Sequence, residues 1–289
     1  MATKNLYKDL LATIPKKDDL NDVQKCFVTD LERQIVLQEE RRPPSRTLKP
    51  SGIGGCAREQ VFTLLGVEMD NSLGSAFGIG ITDIGTFRHD KLQTAIMNSK
   101  DESLQWIDVE EYIKQNNVNT VIKERKGNEV KCYNPTYNIS FMCDGIIKYR
   151  GEYYILEIKT EEVNKHNARF VADPKHVNQA TVYSMCLGIS KIMFLYEDRN
   201  LCHKKAFVVE VTSNDIHLMI KKLTLLLNYA KAGMIPPKEK KCTYCKYKSH
   251  CKVIGDTYEY SSEQLQEIIE ERVKNEQGKK EEEQSEKDR

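Results

Sequence analysis

The chain has 289 residues, a hydrophobic fraction of 39% and a formal net charge of +1, enough to bury a real core in one large domain or two smaller ones. No run of roughly 18 apolar residues is present, and the start MATKNLYKDLLATIPKKDD lacks the apolar stretch and cleavage site of a secretory signal, so the expectation is a cytoplasmic protein with no membrane partner. The small net charge leaves nucleic-acid binding to local clusters, and nine cysteines in a chain this large fit a reducing compartment better than a disulfide framework.

Residues 18 to 40 read as an amphipathic helix through Leu20, Val23, Phe27, Leu31 and Ile35, stopped by RRPPS. A second helix is expected from near Ser51 through CAREQVFTLLG to Gly66. The glycine-rich NSLGSAFGIGITDIG has neither the order of a phosphate-binding loop nor a strand before it, and reads as a lead into a third helix around TFRHDKLQTAIM. From about residue 118 the pattern turns to strands: VNTVIKE, a Gly127-Asn128 turn, EVKCY, ISFMCDGIIKY, a turn at Arg150-Gly151, and EYYILEIKT. A helix from Pro174 to Cys186 ended by Gly188, the strands KIMFLYE and KAFVVEVT, and a long helix from Ser213 to Ala232 closed by Gly233 follow. The fold class is therefore α/β, a central mixed sheet flanked by helices. Ser261 and Gln264 signal a capping box for a last helix through Leu265, Ile268, Ile269 and Val273, and the stretch after Asn275 reads as a solvated or disordered tail. The expected division is a helical extension over 1–50, a central domain over 51–255, and a C-terminal helix and tail over 256–289.

The hairpin CDGIIKYRGEYYILEIKT makes a geometric prediction. With Arg150 and Gly151 as a two-residue turn, paired positions sum to 301 and Asp144 falls opposite Glu157. Strand alternation sends Glu157 and Lys159 to one face, and Leu156 and Ile158 to the other. Two adjacent carboxylates repel, and a hard divalent cation, Mg2+ or Mn2+, relieves that repulsion while leaving positions for water and a phosphate oxygen. Such an ion lowers the pKa of water and stabilises charge on a phosphodiester, and Lys159 can orient or help deprotonate the attacking water. A surface hairpin with ordinary cross-strand charges is the plain alternative, but burying Glu157 and Lys159 in an apolar strand without partners would be expensive.

CTYCKYKSHC places Cys242, Cys245 and Cys251 within ten residues. Three thiols form a metal site that lacks a ligand, for zinc or for a 4Fe-4S cluster, and His250 offers zinc a fourth. Lys240, Lys241, Lys246 and Lys248, with Tyr244 and Tyr247 between them, form the strongest basic stretch in the chain. Lysines neutralise phosphates and aromatics stack on unpaired bases, which suits single-stranded DNA ends; a solvated loop around a structural metal is the other reading. Cys26, Cys132, Cys143, Cys186 and Cys202 lie in apolar or strand contexts and read as packing residues or free thiols.

Asp144 followed by Glu157-Ile158-Lys159 resembles the core of PD-(D/E)XK nucleases. The chain is most similar to the RecB-type branch that carries an iron-sulfur cluster, which includes the CRISPR-associated Cas-four exonucleases, phage relatives and the AddB nuclease domain. The resemblance covers roughly residues 50 to 255. GTFRHDKLQ resembles the family's helical histidine motif and NQATVYSMCLG its Gln-x-x-x-Tyr motif. The resemblance implies a restriction-endonuclease-like core in which His89, Asp144, Glu157 and the Ile158 carbonyl bind the metal. It implies that Lys159 assists the nucleophile, and that Gln179 and Tyr183 orient the site or the DNA strand. It also supplies Cys56 as fourth ligand beside Cys242, Cys245 and Cys251, so that an iron-sulfur clasp joins the N- and C-terminal parts. The chain departs from the family in having Cys56-Ala57 where Pro often follows the cysteine, and FMC before Asp144.

The expected function is a Mg2+- or Mn2+-dependent DNA exonuclease acting at single-stranded or resected ends in replication, recombination or repair, of phage or bacterial origin, with replication or recombination proteins as possible partners. The alternatives are a catalytically silent nucleic-acid-binding adaptor of the same fold, a CRISPR spacer-processing nuclease, and a zinc-stabilised binding module.

Overall fold

The computed structural model describes residues 21–38, 44–70, 75–238 and 245–254. The expected helix through Ser261, the tail, Cys242, Lys240, Lys241 and Tyr244 lie outside them. The described residues fall into two units, one holding 21–38 and 75–84, the other everything else.

In the first unit, α1 (Asp22–Leu37) begins at a capping box in which Asn21 and Gln24 each accept from the other's backbone N–H. From Ala76 onward the glycine-rich stretch is helical: Ala76 to Met97 is one helix, α4, whose first residues belong to this unit. Glycine lowers helix propensity by about 1 kcal/mol per residue; the run is nonetheless helical from Ala76 onward.

The second unit is built on a five-stranded sheet in the order β1 (Leu104–Ile107), β5 (Gly145–Tyr149), β6 (Glu152–Glu161), β7 (Lys191–Asp198), β8 (Lys204–Glu210). The sheet is mixed, with β6 and β7 parallel and the other pairs antiparallel. A second, antiparallel sheet comprises β2 (Val121–Lys126), β3 (Glu129–Asn134) and β4 (Ile139–Phe141).

Helices cover both faces of the larger sheet. On one, Ile146, Ile155, Ile192, Phe194 and Tyr196 pack with α7 (Pro174–Leu187) and α8 (Ser213–Ala232). On the other, Ile147, Leu156 and Ile158 meet Leu92 and Ile96 of α4. Each fully buried Ile or Phe of this kind contributes about 1.5–3 kcal/mol. Gly188 and Gly233 end α7 and α8 in the left-handed conformation, as the sequence predicts.

Several elements differ from expectation. The second helix is broken at Gly54-Gly55 into α2 (Pro50–Ile53) and α3 (Ala57–Leu64). ISFMCDGIIKY is two strands, β4 and β5, in different sheets. The strand β1 and the short helix α5 (Val109–Gln115), capped by Asp108 accepting from the backbone of Glu110 and Glu111, have no counterpart in the sequence reading. Two further short helices, α6 (Val163–Asn167) and α9 (Lys248–Ile254), were likewise unexpected.

Among the described residues, no helix is long and apolar enough to cross a membrane.

Candidate active site

The β5–β6 turn has Arg150 at φ 51° and Gly151 at φ 88°, the pair of positive φ values that a two-residue turn matched to strand twist demands. Its register runs Tyr149 with Glu152 to Gly145 with Leu156. Every pair sums to 301, as predicted. One step beyond β5, the backbone leaves the sheet at Asp144, whose side chain turns back so that Oδ2 accepts the Ile158 N–H at 2.5 Å. The next residue, Gly145, packs under Trp106, and a Cβ there would lie 2.2 Å from the Trp106 ring.

Five more side chains complete a continuous set. His89 Nδ1, on α4, meets Asp144 Oδ1 at 3.2 Å. Glu157 Oε1 pairs with Lys159 Nζ at 2.5 Å. Lys159 also donates to Gln179 Oε1 at 3.4 Å, and Gln179 Nε2 donates to the Tyr183 hydroxyl at 2.7 Å. The four-residue spacing of Gln179 and Tyr183 on α7 thus gives a direct bond on one helix face. The structure brings together all seven residues expected at the centre: His89, Asp144, Glu157, Ile158, Lys159, Gln179 and Tyr183.

Two participants were not expected. Glu129, the first residue of β3 after the Gly127-Asn128 turn, has a carboxylate oxygen within 4.8 Å of the nearest ligand atoms of both His89 and Asp144. Gln93, one helical turn beyond His89 and 0% exposed, donates to the Asp144 carbonyl at 2.7 Å. That bond ties α4 to the main chain of the residue His89 contacts. Glu129 carries no local signal in the sequence, because its approach depends on how one sheet packs near the other. Gln93 stands at the end of the histidine motif, and its four-residue spacing from His89 is a signal that could have found it.

The electrostatics are those of crowded acids around one ammonium. Glu157 is 1% exposed, and burial first, then the charge of Asp144, pushes its carboxyl up to about 8. Its Oε2 is buried with no hydrogen-bond partner. Burial and Asp144 also raise Glu129. For Lys159 burial disfavours the charge, but Glu157 and Asp144 outweigh it and raise the ammonium's pKa. His89 is shifted upward in the same way, burial being outweighed by the hydrogen bond and charge of Asp144. The His89 imidazole with the Glu129 and Asp144 carboxylate oxygens, all within 4.8 Å of one another, forms a nitrogen and oxygen donor set that suits Mg2+ or Mn2+; the orphaned Glu157 oxygen lies outside that group.

The cysteine and lysine segment is only partly described. Cys56 caps α3. The segment 245–254 packs on that helix: Tyr247 lies against Phe62 with ring centroids 5.4 Å apart and its hydroxyl is 3.1 Å from Thr63 Oγ1. Arg58 Nη1 donates to Cys251 Sγ at 3.4 Å. Tyr247 is 3% exposed, so its ring serves the core and is not presented for stacking on a base, contrary to the sequence expectation. Lys246 lies 3.7 Å from Glu59, and Lys248 is exposed at the start of α9. Cys132, Cys143 and Cys186 are buried as expected of packing thiols, whereas Cys26 and Cys202 are exposed.

No protein-family model matches this chain, and no curated protein does. Among solved structures it is similar to the crystal structure of SSO0001, with a TM-score of 0.42 and 13% identity over 78% of this chain and 96% of that one. It is also similar to an alkaline exonuclease, LHK-Exo, from Laribacter hongkongensis, with a TM-score of 0.37 and 14% identity over 65% of this chain and 90% of that one. The same exonuclease in complex with dAMP gives 0.36 and 14% over 65% and 89%. Likenesses this distant leave the chemistry of the present chain to be argued from its own residues.

Proposed function

We propose that this chain is a metal-dependent DNA exonuclease of the PD-(D/E)XK type, hydrolysing phosphodiester bonds at single-stranded or resected ends. The observation that carries the reading is the group formed by His89, Glu129 and Asp144, whose ligand atoms lie within 4.8 Å of one another, together with the buried Glu157, whose Oε2 has no hydrogen-bond partner. Burial and the charge of Asp144 raise the Glu157 carboxyl even though its Oε1 pairs with Lys159, and a nearby cation would favour its ionised form. His89, Asp144 and Glu157 would hold the ion, with Glu129 as a further ligand and the Ile158 carbonyl as the resemblance implies. A divalent ion in this position supplies charge stabilisation for a phosphodiester oxygen and makes water a better nucleophile.

The chain's own residues do the rest. Lys159, kept protonated by two carboxylates, offsets negative charge developing on the phosphoryl group or orients the attacking water. Gln179 fixes the Lys159 ammonium from the α7 side, and Tyr183 fixes Gln179. Gln93 holds the backbone from which Asp144 projects.

Cys56, Cys242, Cys245 and Cys251 are proposed to hold a 4Fe-4S cluster, with zinc as the alternative occupant; four thiolates are the donor set of either. The packing of 245–254 on the helix headed by Cys56 supports that clasp. Lys240, Lys241, Tyr244, Lys246 and Lys248 would then add contacts to the DNA backbone and bases. A role in replication, recombination or repair in a phage or bacterium follows from the same resemblance, and a cytoplasmic location is proposed from the sequence pattern.

Digestion of end-labelled single- and double-stranded DNA in Mg2+ or Mn2+ tests the activity. Lys159→Ala is expected to slow cleavage by roughly 10²–10³-fold with an unchanged circular dichroism spectrum. Near wild-type cleavage by the variant would remove Lys159 from the chemistry.

A further inference from the structure

The loop between α6 and α7 exposes two adjacent apolar side chains, Phe170 at 81% and Val171 at 69%. Single exposed apolar side chains are ordinary on a protein surface; what sets this pair apart is its place at the root of the candidate active site. This loop is also held firmly at its base. The Arg169 guanidinium forks onto Glu161, with Nε 2.8 and 2.9 Å from the two oxygens and Nη2 at 2.7 Å. The same guanidinium lies 4.2 Å above the Tyr196 ring. Lys205 Nζ donates to the carbonyls of His166, Asn167 and Arg169 at 2.6, 3.2 and 3.0 Å. Asp173 N donates to the Tyr196 hydroxyl at 3.0 Å, and Ala172 is buried. Backbone and side chains on either side of the apolar pair are therefore tied down while the pair itself faces solvent.

The root of the loop adjoins the candidate active site. Tyr196 is the register partner of Lys159 across the parallel β6–β7 pair, so the two side chains leave the same face of the sheet. From Lys159 the path runs to Tyr196, to the Arg169 that covers it, and to Phe170 next in sequence. Around the loop Arg169 pairs with Glu161 and Lys165 lies 3.8 Å from Asp173, and Lys205 and Lys175 have no carboxylate partner among the described residues. Lys205 Nζ lies 5.6 Å from the Phe170 ring centroid and bonds to carbonyls rather than to a carboxylate. Lys175, exposed in the first turn of α7, has no ion pair among the described residues.

From this arrangement we infer that Phe170, backed by Val171, is a stacking platform for an unpaired base of a DNA strand whose adjacent phosphate enters the site at Lys159. Aromatic rings stack on bases of any sequence, and flanking lysines neutralise the phosphates on either side. The occupant is a nucleic-acid strand because an exposed flat ring with the Lys205 ammonium 5.6 Å from its centroid, on a loop rooted beside Lys159, matches the alternation of base and phosphate. The inference rests on the nuclease reading and extends it to how a strand end is seated.

The test uses the full chain and single-stranded oligonucleotides bearing 2-aminopurine at either the 5′ or the 3′ end, with Ca2+ in place of Mg2+ so that binding is read without turnover. Wild type is expected to quench 2-aminopurine at one end. Phe170→Ala should bind on the order of tenfold more weakly and lose the quenching, while Phe170→Trp retains both. Because Phe170 is exposed, both variants should melt with the wild type. If wild type cleaves DNA in Mn2+ but Phe170→Ala binds and quenches as wild type does, the platform is refuted and the nuclease reading stands. If wild type neither binds nor cleaves, the nuclease reading fails and takes this inference with it.

Discussion

Glu157 is the residue on which the electrostatics turn. Its ordinary carboxyl pKa of 4.5 is raised to about 8 by burial and by Asp144, so in the metal-free protein the folded state binds its proton more tightly than the unfolded state does. Linkage then gives a stabilising contribution that is complete below about 4.5 and is lost as pH rises through about 8. In the presence of chelator, wild-type protein should lose melting temperature relative to Glu157→Gln across that interval, and Mn2+ should restore it most at the alkaline end. Parallel melting curves for the two proteins would show that Glu157 is not strained by its burial. The position of this carboxylate was legible from the sequence, because a two-residue turn at Arg150-Gly151 fixes every pairing in the hairpin. Glu129 was not, because nothing near it in the chain reveals that a second sheet brings it to His89 and Asp144.

At the scale of elements, the site exists because one stretch of chain changes sheets. Met142, Cys143 and Asp144 separate β4 from β5, and the departure at Asp144 is what frees its carboxylate to bond the Ile158 N–H. Gly145 is needed there. A methyl group would meet the Trp106 ring at 2.2 and 2.6 Å, so Gly145→Ala should destabilise the protein by about 1–3 kcal/mol. A melting temperature lowered by several degrees, with weaker metal binding because Asp144 moves, is the expected result; an unchanged melting curve would show that Trp106 has room to shift. The long strands and the α7 and α8 boundaries were readable, since β-branched runs and glycine caps are local signals. A four-residue strand such as β1 offers too little periodicity to find. The apolar run through ISFMCDGIIKY hides its break, because both halves are buried and look alike.

For the molecule as a whole, chain segments far apart in sequence meet behind α3. Arg58 Nε donates to the Pro236 carbonyl at 2.6 Å, and Asp70 accepts from the Ser249 backbone at 2.9 Å. A metal cluster across Cys56 and the C-terminal cysteines would lock this junction by closing a long loop. Cys245→Ala, purified anaerobically, should lose iron and melt at lower temperature; full iron content with unchanged melting would refute the clasp. Neither of those properties bears on the central claim, which is that His89, Asp144 and Glu157, joined by Glu129, hold a divalent ion beside Lys159. Calorimetric titration of Mn2+ into the full chain and into Asp144→Ala tests it most directly. One equivalent bound by wild type and none by the variant is the predicted result, whereas absence of binding to wild type, or equal binding by both, would contradict it.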